Sequence, residues 1–221
     1  NDPFYGSNII ELQKYENYHV FYAKTFHYVP DGGTPQLYFE GIDTFADIYL
    51  NGSLLGHAEN MLIPHQFAAL GIIVGENELF VHIYPTCIEA RKYDLGAADN
   101  ALRYTYDSLS VRKAAHMFGW DIMPRAVSAG LWRSVSLLSV PSHSVHETYL
   151  MTKSLSDNHD RAYCELFYRF EIGDDPIKGY SFTLTADCGE SHVQVSDVLW
   201  FTQGKLSFEI ENPKLWWPVG R

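Results

Sequence analysis

The chain has 221 residues, 46% of them hydrophobic and 19% charged, so it can bury a sizeable core and is too apolar for intrinsic disorder. Its formal net charge is -11, with 16 Lys and Arg against 27 Asp and Glu. Nucleic acid and anionic membrane surfaces are therefore poor partners, because both bind clustered Lys and Arg, whereas neutral ligands fit this charge.

Short strands separated by turns dominate the first part of the chain. Alternating or aromatic-rich runs predict strands at residues 20–26, 36–40, 46–50, 54–58, 78–84 and 131–140. Asn51-Gly52 predicts a two-residue hairpin turn, because both residues tolerate a positive φ. In the strand 78–84, Leu79, Val81 and Ile83 are predicted to share one face.

Helix is predicted only in two short stretches, residues 87–93 and part of 107–117. Between them, residues 97–106 form a loop whose length is typical of functional loops. Pro141 ends the last strand of this region, and we place a domain boundary there, between residues 1–140 and 141–221.

A second set of strands is predicted at residues 145–151, 163–172, 181–186, 192–199 and 205–210. Regular short strands indicate an immunoglobulin-like sandwich, although about seven strands are typical of that fold. The chain ends on the hydrophobic segment 215–219, where termini are usually polar, so we expect the second domain to be truncated. The start, which carries no initiator Met, is interpreted as trimmed.

The three cysteines, Cys87, Cys164 and Cys188, form no CxxC pair and have no His at metal spacing. Cys164 and Cys188 are compatible with a disulfide across a sandwich, but free buried thiols are the favoured interpretation. The 10 His are scattered without an HExxH or HxH motif, so the sequence predicts no metal and no other cofactor.

The most informative segment is Gly119-Trp120-Asp121, inside the run 112–125 and followed closely by residues 130–133. Two Trp, an Asp and several Arg in so short a run are hard to explain by packing alone. An aromatic face beside a carboxylate suits a sugar, which has apolar C–H faces and hydroxyl groups that donate hydrogen bonds.

Five segments in chain order carry a resemblance to one family. They are residues 2–6 (DPFYG), 40–46 with 50–52 (EGIDTFA and LNG), 60–61 (NM), 112–125 with 130–133 (RKAAHMFGWDIMPR and GLWR) and 215–218 (LWWP). Together they resemble the β-mannosidase branch of glycoside hydrolase family 2, and the Gly-Trp-Asp block is the most discriminating. The family pattern after Trp-Asp is Trp-Gly-Pro-Arg, whereas this chain has Ile122 and Met123 before Pro124-Arg125.

The resemblance implies an all-β fold, a jelly-roll (galactose-binding-like) sandwich followed by an immunoglobulin-like sandwich, with catalysis in a TIM barrel. The ~250 residues of a barrel do not fit in this chain beside two β domains. The retaining mechanism implied needs two carboxyl groups, both on the barrel, so no catalytic residue is expected here. Asn77-Glu78 imitates the family's acid/base context, but its turn-to-strand position is ordinary turn chemistry and we reject it.

The resemblance further implies a parent that releases terminal β-mannose from mannosides or related oligosaccharides and packs this chain on the barrel. A periplasmic, secreted or lysosomal location is favoured by the family over a cytoplasmic one. Two alternatives stay open: a stand-alone carbohydrate-binding or structural module, and a parent with exo-β-glucosaminidase or β-galactosidase specificity.

Trp120 and Asp121 are the predicted substrate-binding residues by resemblance, with Asp121 accepting hydrogen bonds from sugar hydroxyls and Trp120 lining the pocket. The alternative is that Asp121 pairs with Arg125 or Arg112 and only holds the loop, with Trp120 in the core. Arg112 and Arg125 are predicted to support the loop, since guanidinium groups bind carboxylates and carbonyls well. The replacement at 122–123 removes an aromatic wall and a glycine able to adopt positive φ, which leaves the position of Asp121 open.

Overall fold

The computed structural model describes residue 2 and residues 4–173, 176–189 and 191–219. Pro3, which belongs to the first motif, lies outside these ranges, as does Asn1. Contacts divide the chain into two compact units, Asn1–Val140 and Pro141–Arg221. The all-β prediction is confirmed, because antiparallel strands dominate both units. In the described ranges, no helix is long and apolar enough to cross a membrane.

The first unit contains short helices and strands in a defined order. Its helices are α1 (Asn8–Leu12) and α2 (Thr86–Ala90), with 3₁₀ turns at Gln13–Asn17, Tyr106–Ser108 and Ala115–Phe118. Its strands are β1 (Val20–Tyr28), β2 (Thr34–Phe39), β3 (Ile42–Asp43), β4 (Ala46–Leu50), β5 (Ser53–Ala58), β6 (His65–Ala68), β7 (Gly75–Ile83), β8 (Gly130–Leu131) and β9 (Val135–Val140).

Two antiparallel sheets enclose the main core of this unit, with strand orders β1-β7-β4-β5 and β6-β2-β9. The predicted face of β7 is confirmed, since Leu79, Val81 and Ile83 are all buried. From the other sheet, Phe39 is fully buried and packs edge-on against Phe67 with 5.9 Å between ring centroids. Val81 of the first sheet and Phe39 of the second belong to the same buried apolar cluster, so the two sheets share one core, as in a β-sandwich.

A second, smaller apolar cluster lies under the segment that carries the Gly-Trp-Asp motif. Its buried members are Phe45, Cys87, Ala90, Val111 and Phe118. Phe118 has no exposed surface, so the residue next to Gly119 is fixed in the cluster. Burial of a Phe side chain stabilises the fold by about 1.5–3 kcal/mol. The cluster therefore anchors the loop at Phe118.

The predicted hairpin between β4 and β5 is confirmed. Asn51 and Gly52 have φ of 50° and 81°, the positive values that a type I′ turn requires. The Asn51 side chain donates to the Asn77 amide oxygen at 2.9 Å and accepts from the Glu78 N–H at 2.9 Å. Asn77 is buried and also bonds to the backbone of Ile73 in both directions. This network gives Asn77 a structural role in the turn between β6 and β7.

The second unit is a five-stranded arrangement of two sheets in the described ranges. Its strands are β10 (Ser144–Leu155), β11 (Arg161–Glu171), β12 (Ser181–Cys188), β13 (Ser191–Val198) and β14 (Gln203–Glu211). The sheets have the orders β10-β11-β14 and β12-β13. Leu166 and Phe208 of one sheet belong to the same apolar cluster as Leu184 and Val195 of the other, so the unit has its own core.

All three cysteines are free. Cys87 and Cys164 are buried, in keeping with the favoured interpretation, whereas Cys188 is exposed at the end of β12. The disulfide between Cys164 and Cys188 is therefore absent.

Candidate functional site

The Gly-Trp-Asp motif begins where a 3₁₀ turn ends. Ala115–Phe118 forms the turn, and the Gly119 N–H closes it by donating to the His116 carbonyl at 3.0 Å. Gly119 then has a φ of +95°, which side-chain-bearing residues rarely adopt. This glycine therefore lets the chain leave the buried Phe118 abruptly and project the next residues outward.

The projecting residues form a tight turn with Asp121 near its tip. The Trp120 N–H donates to the Met123 carbonyl at 3.1 Å, and the Met123 N–H donates to the Trp120 carbonyl at 2.6 Å. Asp121 has a φ of +45°, a left-handed conformation that Asp tolerates better than most residues. Trp120 is 65% exposed, and Asp121 is exposed as well, so the aromatic ring and the carboxylate both face outward.

Ile122 and Met123 stand where the family pattern has Trp and Gly, and neither of them strains the backbone. Within residues 112–133, which the structure describes throughout, the only non-glycine residue with a positive φ is Asp121. Met123 needs no glycine-like backbone, and its side chain is 42% exposed. Trp120 is not a core residue in this unit either, since it is largely exposed and lies outside the small apolar cluster.

Arg125 holds the far side of this turn through several contacts. Its Nε and Nη2 donate to the Glu16 carboxylate at 2.8–3.1 Å. Its Nη1 donates to the Tyr104 carbonyl at 2.7 Å, and its guanidinium lies 5.5 Å from the ring centroid of Phe118. Burial disfavours the charged form, but the hydrogen bonds and the charge of Glu16 prevail and raise the pKa of Arg125.

Asp121 has no hydrogen bond or ion pair among the residues that the structure describes. Arg125 is engaged by Glu16, and Arg112 contributes its carbonyl, which accepts the Met61 N–H at 2.9 Å, while its side chain is exposed. The expected alternative of an ion pair from Asp121 to Arg125 or Arg112 is thus absent within the described ranges. The carboxylate at the tip is left available to an outside hydrogen-bond donor.

A buried charge network lies at the base of the same loop, and sequence reasoning missed it. The Lys113 ammonium binds the Asp43 carboxylate, and its side chain is 0% exposed against 3% for Asp43. The same ammonium donates to the Ser128 carbonyl at 2.9 Å, and the Ser128 hydroxyl donates to Asp43 at 2.6 Å. Burial lowers the pKa of Lys113, and the Asp43 charge opposes that effect.

Three of the motif segments converge at this network. Asp43 comes from the 40–46 segment, Lys113 from the 112–125 segment, and Met61 accepts the Ala114 N–H on its sulfur at 3.2 Å. A Lys and an Asp seventy positions apart carry no local signal of pairing. Their shared place in the motifs of one family was the available hint that they meet.

An apolar groove of about 540 Å³ lies beside the turn. It runs between the N-terminal helical segment and residues 116–129, and Leu12, Val20, Met117, Met123 and Val127 contribute to its apolar walls. Trp120 and Asp121 do not line it. The described residues hold no group of three or more His, Cys, Asp or Glu side chains placed to bind a metal ion.

The sequence is similar to those of one family of known proteins. The family described as glycosyl hydrolase 2 galactose-binding domain-like matches residues 1–133. Beta-mannosidase B from Aspergillus clavatus is 30% identical over 99% of this chain and 26% of its own length. Beta-mannosidase B from Emericella nidulans is 29% identical over 100% of this chain and 27% of its own length. The chain therefore spans about a quarter of the length of these curated relatives.

Solved structures give the same picture. The crystal structure of a beta-D-mannosidase from Dictyoglomus thermophilum superposes with a TM-score of 0.76 and 27% identity, over 100% of this chain and 28% of that one. A beta-glucuronidase from Bifidobacterium dentium superposes with a TM-score of 0.61 and 23% identity, over 90% of this chain and 34% of that one. The latter likeness concerns the fold alone.

Proposed function

The chain belongs to glycoside hydrolase family 2, and from that premise we propose that it is the N-terminal part of a β-mannosidase-like retaining hydrolase. In this proposal the full-length protein releases terminal β-mannose from mannosides. Residues 1–140 form its jelly-roll sugar-binding domain, and residues 141–221 contribute to an immunoglobulin-like domain. The two catalytic glutamates belong to a barrel outside these 221 residues, so the chain alone is inactive.

One observation carries the proposal most directly. The Asp121 carboxylate projects from a tight turn beside the exposed Trp120 indole and has no protein partner among the described residues. The cation that would most simply neutralise it, Arg125, is used to anchor the turn to Glu16. A carboxylate presented on a held turn supports a role in binding something outside this unit.

The chemistry of a sugar fits this arrangement. In the proposed pocket, Asp121 accepts hydrogen bonds from hydroxyl groups of the terminal sugar, and Trp120 covers an apolar C–H face. Both interactions gain strength when the barrel closes the other side and excludes water. The exposed Ile122 occupies the position where the family pattern has a second aromatic wall, so this side of the pocket is aliphatic.

A substrate panel tests the proposed activity. The full-length hydrolase is expected to cleave 4-nitrophenyl β-D-mannopyranoside in preference to the corresponding β-glucosaminide, β-galactoside and β-glucuronide. Preference for any of the other three glycosides would refute the proposed specificity. The 221-residue chain provides the matched control: calorimetry with mannose or mannobiose is expected to give no measurable heat, because half of the pocket is absent. Tight binding by the chain would instead identify it as a stand-alone carbohydrate-binding module.

A further inference from the structure

We propose that Lys113 is a positioning residue for the turn that carries Trp120 and Asp121. The tip loop, defined as residues 114–127, starts directly after Lys113 and ends directly before Ser128. Lys113 closes its base by binding Asp43 and Ser128 together. This inference rests on the proposed sugar-binding role of the tip.

The contacts place the clamp across both ends of the loop. Lys113 donates to the Ser128 carbonyl at 2.9 Å, which links the residue before the loop directly to the residue after it. Both ends also bind Asp43, which lies in β3 and pairs with Gly130 of β8. The base of the loop is therefore tied to the sheet by a shared carboxylate and to itself by the ammonium.

Within the tip loop, regular secondary structure is sparse. A 3₁₀ turn, the paired hydrogen bonds between Trp120 and Met123, and an Ala126 N–H that donates to the Met117 carbonyl at 2.9 Å make up its backbone bonding. Such a loop has no strand ladder of its own to fix its direction. The direction of the tip is consequently set by the Lys113 clamp at the base, by the buried Phe118 and by Arg125 at the side.

A buried ion pair between Lys113 and Asp43 favours a positioning role over a purely stabilising one. Lys113 and Asp43 are almost entirely buried, and a buried ion pair is often no more stabilising than apolar side chains of the same volume. An ammonium group with several donors can, however, hold two oxygens of Asp43 and one of Ser128 in fixed relative positions, which an apolar side chain cannot do.

Hydrogen exchange tests the clamp in the 221-residue chain. The double variant Lys113→Met/Asp43→Asn removes both charges and leaves no unpaired buried ion. We expect the Met123 and Ala126 amides to exchange roughly tenfold faster or more, with the amides of β4 and β7 unchanged. The control is Lys205→Met/Glu165→Gln, which removes a partly exposed pair in the second unit.

Two results would overturn the inference: unchanged exchange in the tip loop, or an equal increase in β4 and β7, which indicates a general structural role. If the double variant fails to fold, Ser128→Ala serves instead, because it removes only one hydroxyl of the clamp. It is expected to raise exchange in the tip loop alone, and unchanged exchange there overturns the clamp.

A double-mutant cycle in the full-length hydrolase separates this inference from the proposed function. If Lys113 acts through Asp121, the clamp variant lowers kcat/KM in the wild-type background and causes no further loss beside Asp121→Ala. If the clamp variant lowers kcat/KM by the same factor in the wild type and in Asp121→Ala, the positioning role is overturned. Faster exchange of the tip loop with unchanged activity of both variants supports the clamp and refutes sugar binding by the tip.

Discussion

The Arg125–Glu16 pair offers a quantitative test of what holds the Gly-Trp-Asp turn. Arg125→Met leaves the Glu16 carboxylate, which is 11% exposed, without its three hydrogen bonds from the guanidinium. Removing one partner of a buried pair costs about 3–5 kcal/mol. Because the Arg125 side chain is 18% exposed, we expect the low end, a loss of about 3 kcal/mol in the free energy of unfolding of the first unit.

Differential scanning calorimetry of the chain measures this change, with the second unit as an internal reference. Most of the cost arises from the stranded carboxylate, so Glu16→Gln/Arg125→Met is expected to recover part of the loss. Arg133→Met is the matched control, since that guanidinium lies 4.2 Å from the Trp132 ring on the surface and contributes about 0.5–1 kcal/mol. A loss below about 1 kcal/mol for Arg125→Met, or no recovery in the double variant, would refute the reasoning.

Three further predictions concern the first unit and the free thiols. Asn77→Ala removes four hydrogen bonds and is expected to lower the free energy of unfolding by about 2–4 kcal/mol in urea titrations, whereas Glu78→Gln leaves the hydrolase activity unchanged. Burial and the charge of Glu16 raise the pKa of Cys87 to about 11, so mass spectrometry after iodoacetamide treatment at mildly alkaline pH should find Cys188 labelled and Cys87 intact. Burial and the charge of His19 lower the pKa of His82, so below pH 6.5 the unfolded chain binds more protons than the folded chain. The free energy of unfolding should therefore fall as the pH drops below 6.5. Thermal unfolding of His82→Gln should show a smaller loss of stability over the same pH range.

The parts of the fold that local patterns control were predictable from the sequence. The strand Ala46–Leu50 and the Asn51-Gly52 turn follow from alternation and from residues that accept positive φ. The helix Asn8–Leu12 was missed because five residues are too few to show the periodic apolar face by which a helix is recognised. Strand His65–Ala68 was missed because it gains its place by pairing with β2, a contact distant in sequence.

The candidate site divides in the same way. Its outward residues, Trp120 and Asp121, were recognised from composition and from the resemblance, and their role stays a prediction. The contacts that hold them were not recognised, because Glu16 binds Arg125 across 109 positions and Asp43 binds Lys113 across 70. Such contacts depend on the topology of the sandwich, and no characteristic spacing in the sequence indicates them.

The kcat/KM of Asp121 variants in the full-length hydrolase tests the central claim most directly. Asp121→Ala removes a charged hydrogen-bond acceptor worth about 1.5–3 kcal/mol, so we expect kcat/KM for a β-mannoside to fall roughly 10- to 160-fold. Asp121→Gly removes the same carboxylate while suiting the φ of +45°, and it should lose as much with its unfolding temperature unchanged. Wild-type kcat/KM in both variants would contradict the account.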